Sequence, residues 1–417
     1  MNTKLLKSIV TSTAALAMGA TAFGAGYALF ESSASGNADA AGLTTKGGDP
    51  SAMFFNPAAI SDLEGTQVSI GTSFLFTHFG IEGNNGQQIM EKEADDRLFL
   101  LPHMYVTHKL TDDIQLGLGV FERFGLGLTM DDDFFGRYNN LEVDIMTVTV
   151  APTISYQILD NLSIGASFNV QALDVSKKQY LSPLYGAGDN VTQEVKGDIS
   201  LGIGGSVGIK WDPVDWLHLG ASYVTRVKHD IDGDVNIDGI QPFTFKTRGH
   251  AEITTPDEIT VAGTIDVTEK LTVGGTVTYT SWSVFDELAI KCDNYPLAQG
   301  MPYEVKSVMN WKDTVRFSVG GSYKFNDNWV FRASYTYDDS PLNKSTFDYL
   351  VPAHDRHIFA FGLGWTRDVW TIDFSYFFEL VPSTDVPGDP NPLHGVFPGK
   401  YQTGNANCFG ITVTRRF

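Results

Sequence analysis

From about Thr66 to the C-terminus, apolar and polar positions alternate with a period of two, segment after segment. Trp329, Phe331, Ala333, Tyr335 and Tyr337 alternate with Val330, Arg332, Ser334 and Thr336. Leu162, Ile164, Ala166, Phe168 and Val170 alternate in the same way with Ser163, Gly165, Ser167, Asn169 and Gln171. A helix would bury positions three and four apart instead, so these runs predict strands. They fall near residues 66–79, 97–108, 112–123, 144–156, 160–173, 198–211 and 215–229 in the first half of the chain. The second half adds 256–267, 270–283, 313–325, 328–338, 356–366, 369–379 and 408–417. That makes about fourteen, an even number, as bacterial single-chain barrels require. The links alternate in length. Turns such as Leu159-Asp160-Asn161 and Asn326-Asp327-Asn328 are short and read as periplasmic. The links 174–197, 230–255, 284–312, 339–355 and 380–407 are long, acidic or proline-rich, and read as surface loops. Soluble sandwiches also alternate, but many strands with a small or polar face and aromatic ends fit an all-β, antiparallel transmembrane barrel.

Composition narrows the choice. Charged residues make up 19% and Gly 42 of 417 positions, with 12% aromatics and a mean hydropathy of −0.08. No run of about 20 apolar residues follows the N-terminus, which excludes a helical membrane protein. A formal charge of −20 argues against nucleic acid, since phosphate binding needs a basic surface. Cys292 and Cys408 form no metal motif. Nine His residues are scattered, and the closest pair, His354 and His357, reads as solvated loop surface. No cofactor and no metal site is expected. An enzymatic barrel would need a Ser–His pair whose geometry the sequence does not display.

The N-terminus reads as an export signal. Lys4 and Lys7 precede the apolar stretch Ile9 to Ala20, and Ala22 and Gly24 place a cleavage site before Ala25. The expected division is therefore a signal peptide at 1–24, an N-terminal segment at 25–65 and the barrel at 66–417. The segment is rich in small residues and then reads Asp49-Pro50-Ser51-Ala52-Met53-Phe54-Phe55-Asn56-Pro57-Ala58-Ala59-Ile60. Such a stretch can fill a lumen lined by Gly, Ser and Thr as a hatch, or hang as a periplasmic tail.

Several of these segments are distinctive. Ala25-Gly26-Tyr27, the Ser-rich run to Gly36, and Asp49 through Asn56-Pro57-Ala58 resemble the hatch of the FadL/TodX-like long-chain fatty acid transporter family. Tyr279-Thr280-Ser281-Trp282-Ser283 with Phe285, Trp311-Lys312-Asp313 with Arg316, and Asp327-Asn328-Trp329 with Phe331-Arg332 follow in that family's order. So do Tyr337-Asp338-Asp339-Ser340-Pro341 and Val351-Pro352 with Asp355-Arg356. The resemblance implies a 14-stranded barrel in the cell outer membrane, closed by an N-terminal hatch and taking up hydrophobic small molecules. Long-chain fatty acids are the first expectation and hydrocarbons the alternative; a non-transporting surface barrel is the reading from a different class. The expected partners are outer-membrane lipid, lipopolysaccharide and the barrel assembly machinery, met by a monomer.

Candidate site residues follow from chemistry. An apolar route is expected along Met53, Phe54, Phe55 and Ile60 of the hatch and Leu181, Leu184 and Tyr185 of a surface loop. Arg316 and Arg332 point inward by strand phase, either to hold a ligand carboxylate or to join a lumen salt-bridge network with Asp373 or Asp266. Asp339 and Arg356 are expected to pair at a loop base. The acidic run Asp131-Asp132-Asp133 reads as solvated, with a bound cation as the alternative. Gly117, Gly119, Gly125 and Gly127, around Phe124, place four glycines in one strand, which marks a bulge. The resemblance implies that this strand kinks to open the wall sideways, and Asn56-Pro57-Ala58 is expected to dock the hatch against it.

Overall fold

Alternation fixes two faces on every strand, and in this chain the faces are inverted relative to a soluble protein. Ile70, Ile154, Phe168, Ile203, Val261, Phe317 and Phe374 are exposed, while Ser69, Ser155, Ser167, Asn169, Ser206, Thr278 and Thr412 are buried. An apolar outside and a polar inside suit lipid around a protein-filled lumen. The structure is a computed structural model and describes residues 26–183, 189–239, 245–295, 301–351, 354–389 and 394–417. Residues 1–25, which include the expected signal peptide, and Leu184, Tyr185 and Pro352 lie outside the described residues.

Among the described residues fourteen strands build the wall. The first five are β1 (Thr66–His78), β2 (Arg97–Lys109), β3 in two pieces (Ile114–Phe121 and Gly125–Thr129), β4 (Glu142–Leu159) and β5 (Leu162–Tyr180). Next come β6 (Ser200–Val214), β7 (Leu217–Val224), β8 (Glu258–Asp266), β9 (Leu271–Thr280) and β10 (Thr314–Lys324). The last four are β11 (Trp329–Asp338), β12 (Arg356–Arg367), β13 (Trp370–Val381) and β14 (Gly404–Arg416). Each pairs antiparallel with its neighbours, and β1 closes on β14 from Gln67↔Arg416 to His78↔Asn405. Closure gives the backbone partners it cannot find in lipid.

Three short turns share one device. Thr111 Oγ1 accepts from the Asp113 and Ile114 amides, Thr268 Oγ1 from Lys270 and Leu271, and Asn326 Oδ1 from Asn328 and Trp329. Side-chain acceptors of this kind stabilise tight reversals. Near that end, Trp211, Trp216, Trp329 and Trp370 are exposed, forming an aromatic girdle.

The long links are not simply loops. Val227–Asp238, Phe245–Thr255, Glu287–Tyr295 and Met301–Val308 are strands that prolong the wall outward, and Thr192–Gly197 joins them. Their outward residues are charged, as in Lys228, Asp230, Asp232 and Asp234, so composition disguised an alternation that His229, Ile231 and Val235 complete on the buried side. A four-stranded sheet formed by residues near 80–93, 384–386 and 399–401 covers the same end.

The lumen is filled by the N-terminal segment. It contains α1 (Ala34–Ala38), α2 (Ala40–Thr45), α3 (Ala52–Phe55) and a single 3-10 turn, Pro57–Ile60. Ser33, Asp39 and Asn56 cap three of these by accepting from the amides of Gly36, Gly42 and Ala58, the role such side chains play at helix starts. The chain is a 14-stranded barrel with an N-terminal hatch inside.

Candidate functional site

The hatch is fastened to the wall at many points. Asn56 donates through Nδ2 to the Thr44 and Ile209 carbonyls at 2.8 and 2.9 Å, and its Oδ1 accepts from the Ala58 amide. Lys46 bonds Asp266 at 2.7 Å, and Lys210 bonds Asp62 at 2.8 Å. Asn56-Pro57-Ala58 therefore docks on β5, β6 and β7, where Gly165, Gly208 and Gly220 leave it room. This corrects the expectation that the motif meets the glycine-rich strand. The short segment from Met53 to Ile60 spreads over neighbouring strands, the Ala58 carbonyl also accepting from Ser155 of β4. Gly117 and Gly119 of β3 make room instead for Met53 and Ile60.

Met53, Phe54 and Ile60 are buried in one cluster with Leu43, Tyr105 and Phe121, and Phe55 packs at its edge. Phe54 and Phe55 also border a small lumen niche of about 50 Å³ that Phe30, Arg123 and Arg316 share. A niche this size holds a few water molecules and not a long alkyl chain.

Arg332 is committed to Asp373 at 2.7 Å. Arg316 reaches Asp338 only at 3.9 Å and lies over the Phe30 ring, 5.5 Å from its centroid. Of the two sequence-derived cations, Arg316 has the weaker commitment. Arg356 does not pair with Asp339. It bonds Asp338 at 2.9 Å and Glu379 at 3.1 Å, while Asp339 takes Lys312 at 3.3 Å. Asp338 stands directly opposite Arg356 across β11 and β12, so Asp339, one residue on, points to the other face.

Arg123 was not singled out from the sequence. It stacks on Phe54 with its guanidinium carbon 4.1 Å from the ring centroid, pairs with Glu258 at 3.1 Å and donates to the Phe54 carbonyl. The available signal was Glu122-Arg123, two charges inside an otherwise apolar, glycine-rich run.

That run is where the wall breaks. Phe121 pairs with Thr149 of β4 and Gly125 with Met146, so four steps along β3 face three along β4. One extra residue is a bulge. β2 pairs with β3 only from Met104 to Lys109. Among the described residues, Arg97–His103 have no ladder with Gly125–Thr129. The four glycines do not share one face: beyond the break Leu126 and Leu128 stand opposite the buried Ile145 and Val143.

The hatch backs this gap from inside. Ala28 bridges to Phe124, the Leu29 amide donates to the Arg123 carbonyl at 2.7 Å and the Gly125 amide to the Tyr27 carbonyl at 2.9 Å. Tyr27 sits among Phe124, Trp282, Phe285 and Trp311, with ring centroids 4.8 to 6.0 Å away. Gly26 has φ +69°, and a Cβ there would stand 2.3 Å from Trp282. The distant sequence segments around residues 282 and 311 thus converge on the start of the hatch.

Outside, a cavity of about 510 Å³ lies between the loops, bordered by Leu181, Tyr295, Phe347, Lys177 and Lys306 among others. That volume falls within the range of small-molecule sites. The acidic run beside it is compensated in part, because Lys92 pairs with Asp133 and Asp131. On the outer hairpin, Asp230, His250 and Glu252 offer donor atoms within 4.8 Å of one another, a cross-strand grouping invisible to linear spacing, with Lys228 3.0 Å from Glu252.

His354 is not solvated surface. It is buried, stacked on Phe347 and packed against Tyr401, and burial pushes its pKa down to about 4. Its neutral form therefore supports the loop cap fully above the ordinary value near 6.5, and the support is lost as pH falls toward 4. The whole shift corresponds to roughly 3 kcal/mol. Tryptic cleavage after the exposed Lys344, taken relative to cleavage of an unstructured reference peptide at each pH, is expected to accelerate as pH falls from 7 to about 4.5. His354→Phe, which cannot titrate, should remove that dependence; an equal acceleration in both proteins would refute it.

The family described as outer membrane protein transport protein (OMPP1/FadL/TodX) matches residues 15–417. This chain belongs to that family. A FadL homologue from Pseudomonas aeruginosa superposes with a TM-score of 0.83 at 21% identity, covering 94% of this chain and all of that one. The toluene transporter TodX from Pseudomonas putida gives 0.72 at 18% identity, covering 95% and 99%. In sequence, a long-chain fatty acid transport protein of Escherichia coli is 24% identical over 380 residues, 82% of this chain and 83% of the relative. The FadL/TodX members are transport channels, and this one is an outer-membrane barrel of the same architecture.

Proposed function

We propose that this FadL/TodX barrel takes up long-chain fatty acids by diffusion from the outer cavity, through the hatch region, and out sideways at the break in β3. The observation that carries the reading is the break itself: a wall segment that lacks its ladder to β2 lies against residues Tyr27–Leu29 of the hatch, close to an apolar cluster. An alkyl chain gains roughly 0.8 kcal/mol for each methylene kept from water, so it follows apolar surface rather than an aqueous pore. Leu181 of the outer cavity and Phe54 and Phe55 of the lumen are the steps of that path, and Arg316 is the partner for the carboxylate. The reading extends to removal of residues 1–24, a monomer in contact with lipid and lipopolysaccharide, and insertion by the barrel assembly machinery.

The test is uptake of a labelled long-chain fatty acid by cells lacking their own transporter, with toluene as competitor. Saturable uptake that toluene leaves untouched supports the fatty acid reading. Uptake of toluene alone would shift it to the hydrocarbon class, and uptake of neither would leave a surface barrel.

A further inference from the structure

Lys177 lies in the part of β5 that runs outward, where Ser176 to Tyr180 pair with the strand Thr192–Gly197. Period-two alternation turns Ser176 and Lys178 to the outside and puts Lys177 on the inner face with Val175 and Gln179. Directly opposite it stand Val143 of β4 and Val195, so the amine rises from apolar neighbours. It is half-buried and borders the outer cavity of about 510 Å³. Among the described residues it has no salt bridge within 4.0 Å and no side-chain hydrogen bond. The other cations there are engaged, Lys306 with Glu287 and His394 with Asp389 at 2.6 Å. Of the acids bordering the cavity, Asp348 accepts from the Leu350 amide at 2.9 Å, and Glu304 is exposed. Burial lowers the pKa of Lys177, and Asp348 raises it. Lys177 also borders a second niche of about 50 Å³, lined by Val175, Ile231, Ile253, Leu288 and Ile290. Polar cavity gives way to apolar wall at this residue, which is the surface an amphiphile needs where its head meets its tail.

We propose that Lys177 is the specificity-determining residue of the outer cavity, receiving the head of a carboxylated amphiphile and disfavouring neutral hydrocarbons. The inference rests on the transport reading above and adds to it the head group that the cavity selects, before Arg316 is reached. A hydrocarbon that fills the cavity strips water from the amine and offers it no partner. An alcohol offers one acceptor. A carboxylate offers acceptors and a counter-charge together, so ligand and lysine favour each other's charged forms. The selection is the same however the two are first protonated. A neutral acid hands its proton to a neutral amine and gives the same ammonium carboxylate that the two ions form directly. A site built around a donor rejects ligands that leave it unpaired far more strongly than it rejects a change in chain length.

Binding of labelled dodecanoic acid, dodecanol and dodecane to the protein in lipid nanodiscs tests this. Uptake into empty nanodiscs is subtracted, and heat-modifiable migration is the check on assembly. At neutral pH the parent is expected to bind the acid about tenfold more tightly than the alcohol, the worth of one charge-assisted hydrogen bond, and the hydrocarbon most weakly. Lys177→Gln should abolish the acid's advantage, and Lys177→Arg should keep it. Lys178→Gln removes the same charge one residue away on the outer face, and it should keep the advantage too. An advantage that survives in Lys177→Gln overturns the proposal. So does an equal loss in Lys178→Gln, which would mark a general field rather than this residue. If Lys177→Gln does not assemble, Lys177→Met replaces it, and a parent that binds acid and alcohol alike overturns the assignment without any variant. Uptake by cells lacking their own transporter keeps the two readings apart. A parent that prefers the acid in binding yet carries none of the probes overturns the transport reading alone. One that carries the acid but binds acid and alcohol alike overturns the role of Lys177 alone.

Discussion

Deleting Phe124 is expected to reduce uptake at least about tenfold while leaving barrel assembly intact. The bulge in β3 supplies one residue more than β4 can match, since Phe121↔Thr149 is followed by Gly125↔Met146. A one-residue deletion in a strand ordinarily turns every later side chain to the wrong face. Here the phase is already reversed at the break, because Phe121 is buried before it and Leu126 and Leu128 after it. Removing one residue therefore restores a single phase. With Met104↔Val120 as the reference, the shortened strand would bring Gly125 opposite Leu100 and extend the β2–β3 ladder across the gap. The measurement is fatty acid uptake by cells carrying the deleted protein, after heat-modifiable migration has shown it folded. A folded deletion variant that still transports at the parent rate would rule out the lateral path and favour passage straight through the hatch.

The second large effect is expected at Gly165. A Cβ there would stand 2.4 Å from the Ala58 amide nitrogen and the Pro57 carbonyl carbon, both backbone atoms. Neither can swing aside as a side chain would. Gly165→Val should therefore expel the Asn56-Pro57-Ala58 corner from its seat, since overpacking of this kind costs about 1–3 kcal/mol or more. The displaced corner also leaves the Ile209 and Thr44 carbonyls without the Asn56 donor, adding roughly 1–3 kcal/mol for each buried group left unpaired. The wall itself gains a β-branched residue and loses nothing. In planar bilayers the parent is expected to conduct little, because the hatch fills the lumen, while Gly165→Val should show open steps. Asn56→Ala should give a weaker, flickering version of the same behaviour. Closed traces from an assembled Gly165→Val protein would mean that the hatch is held by its other anchors alone.

The strands, their number and the break near Phe124 were legible because each rests on local rules: period-two alternation, tight turns, and glycine where pairing fails. The hatch was legible in composition, since the small residues of 25–65 suit a lumen lined by Gly, Ser and Thr. What escaped depends on register and on the path of the chain through space. Whether Arg356 meets Asp338 or Asp339 is decided by a cross-strand register that seventeen intervening residues leave open. Asn56 lands on β6 while Met53 and Ile60 lie on β3, a division of one short segment among strands that no spacing records. His354 reads as a loop polar residue, and its burial against Phe347 and Tyr401 requires its own loop to meet a second one. Charged outward faces on Val227–Asp238 and Phe245–Thr255 masked strands as loops for a compositional reason. Glu122 and Arg123 were visible as charges in an apolar run, yet their significance comes only from the gap beside them.

The position of α1 bears on how such a barrel comes to be closed. Its residues bond to three strands at the seam where the two ends of the wall join. The Ala34 amide donates to Thr412 of β14 at 2.9 Å, and Asn37 donates to Ser73 of β1 and Ser375 of β13 at 3.2 and 3.1 Å. The two strands farthest apart in sequence, separated by more than three hundred residues, are thus held from within by a segment that precedes them both. Pairing of such distant strands is slow, because loop closure must precede any reward. The side chains that fasten the hatch also brace the seam, so loosening α1 removes hydrogen bonds from three wall strands at once.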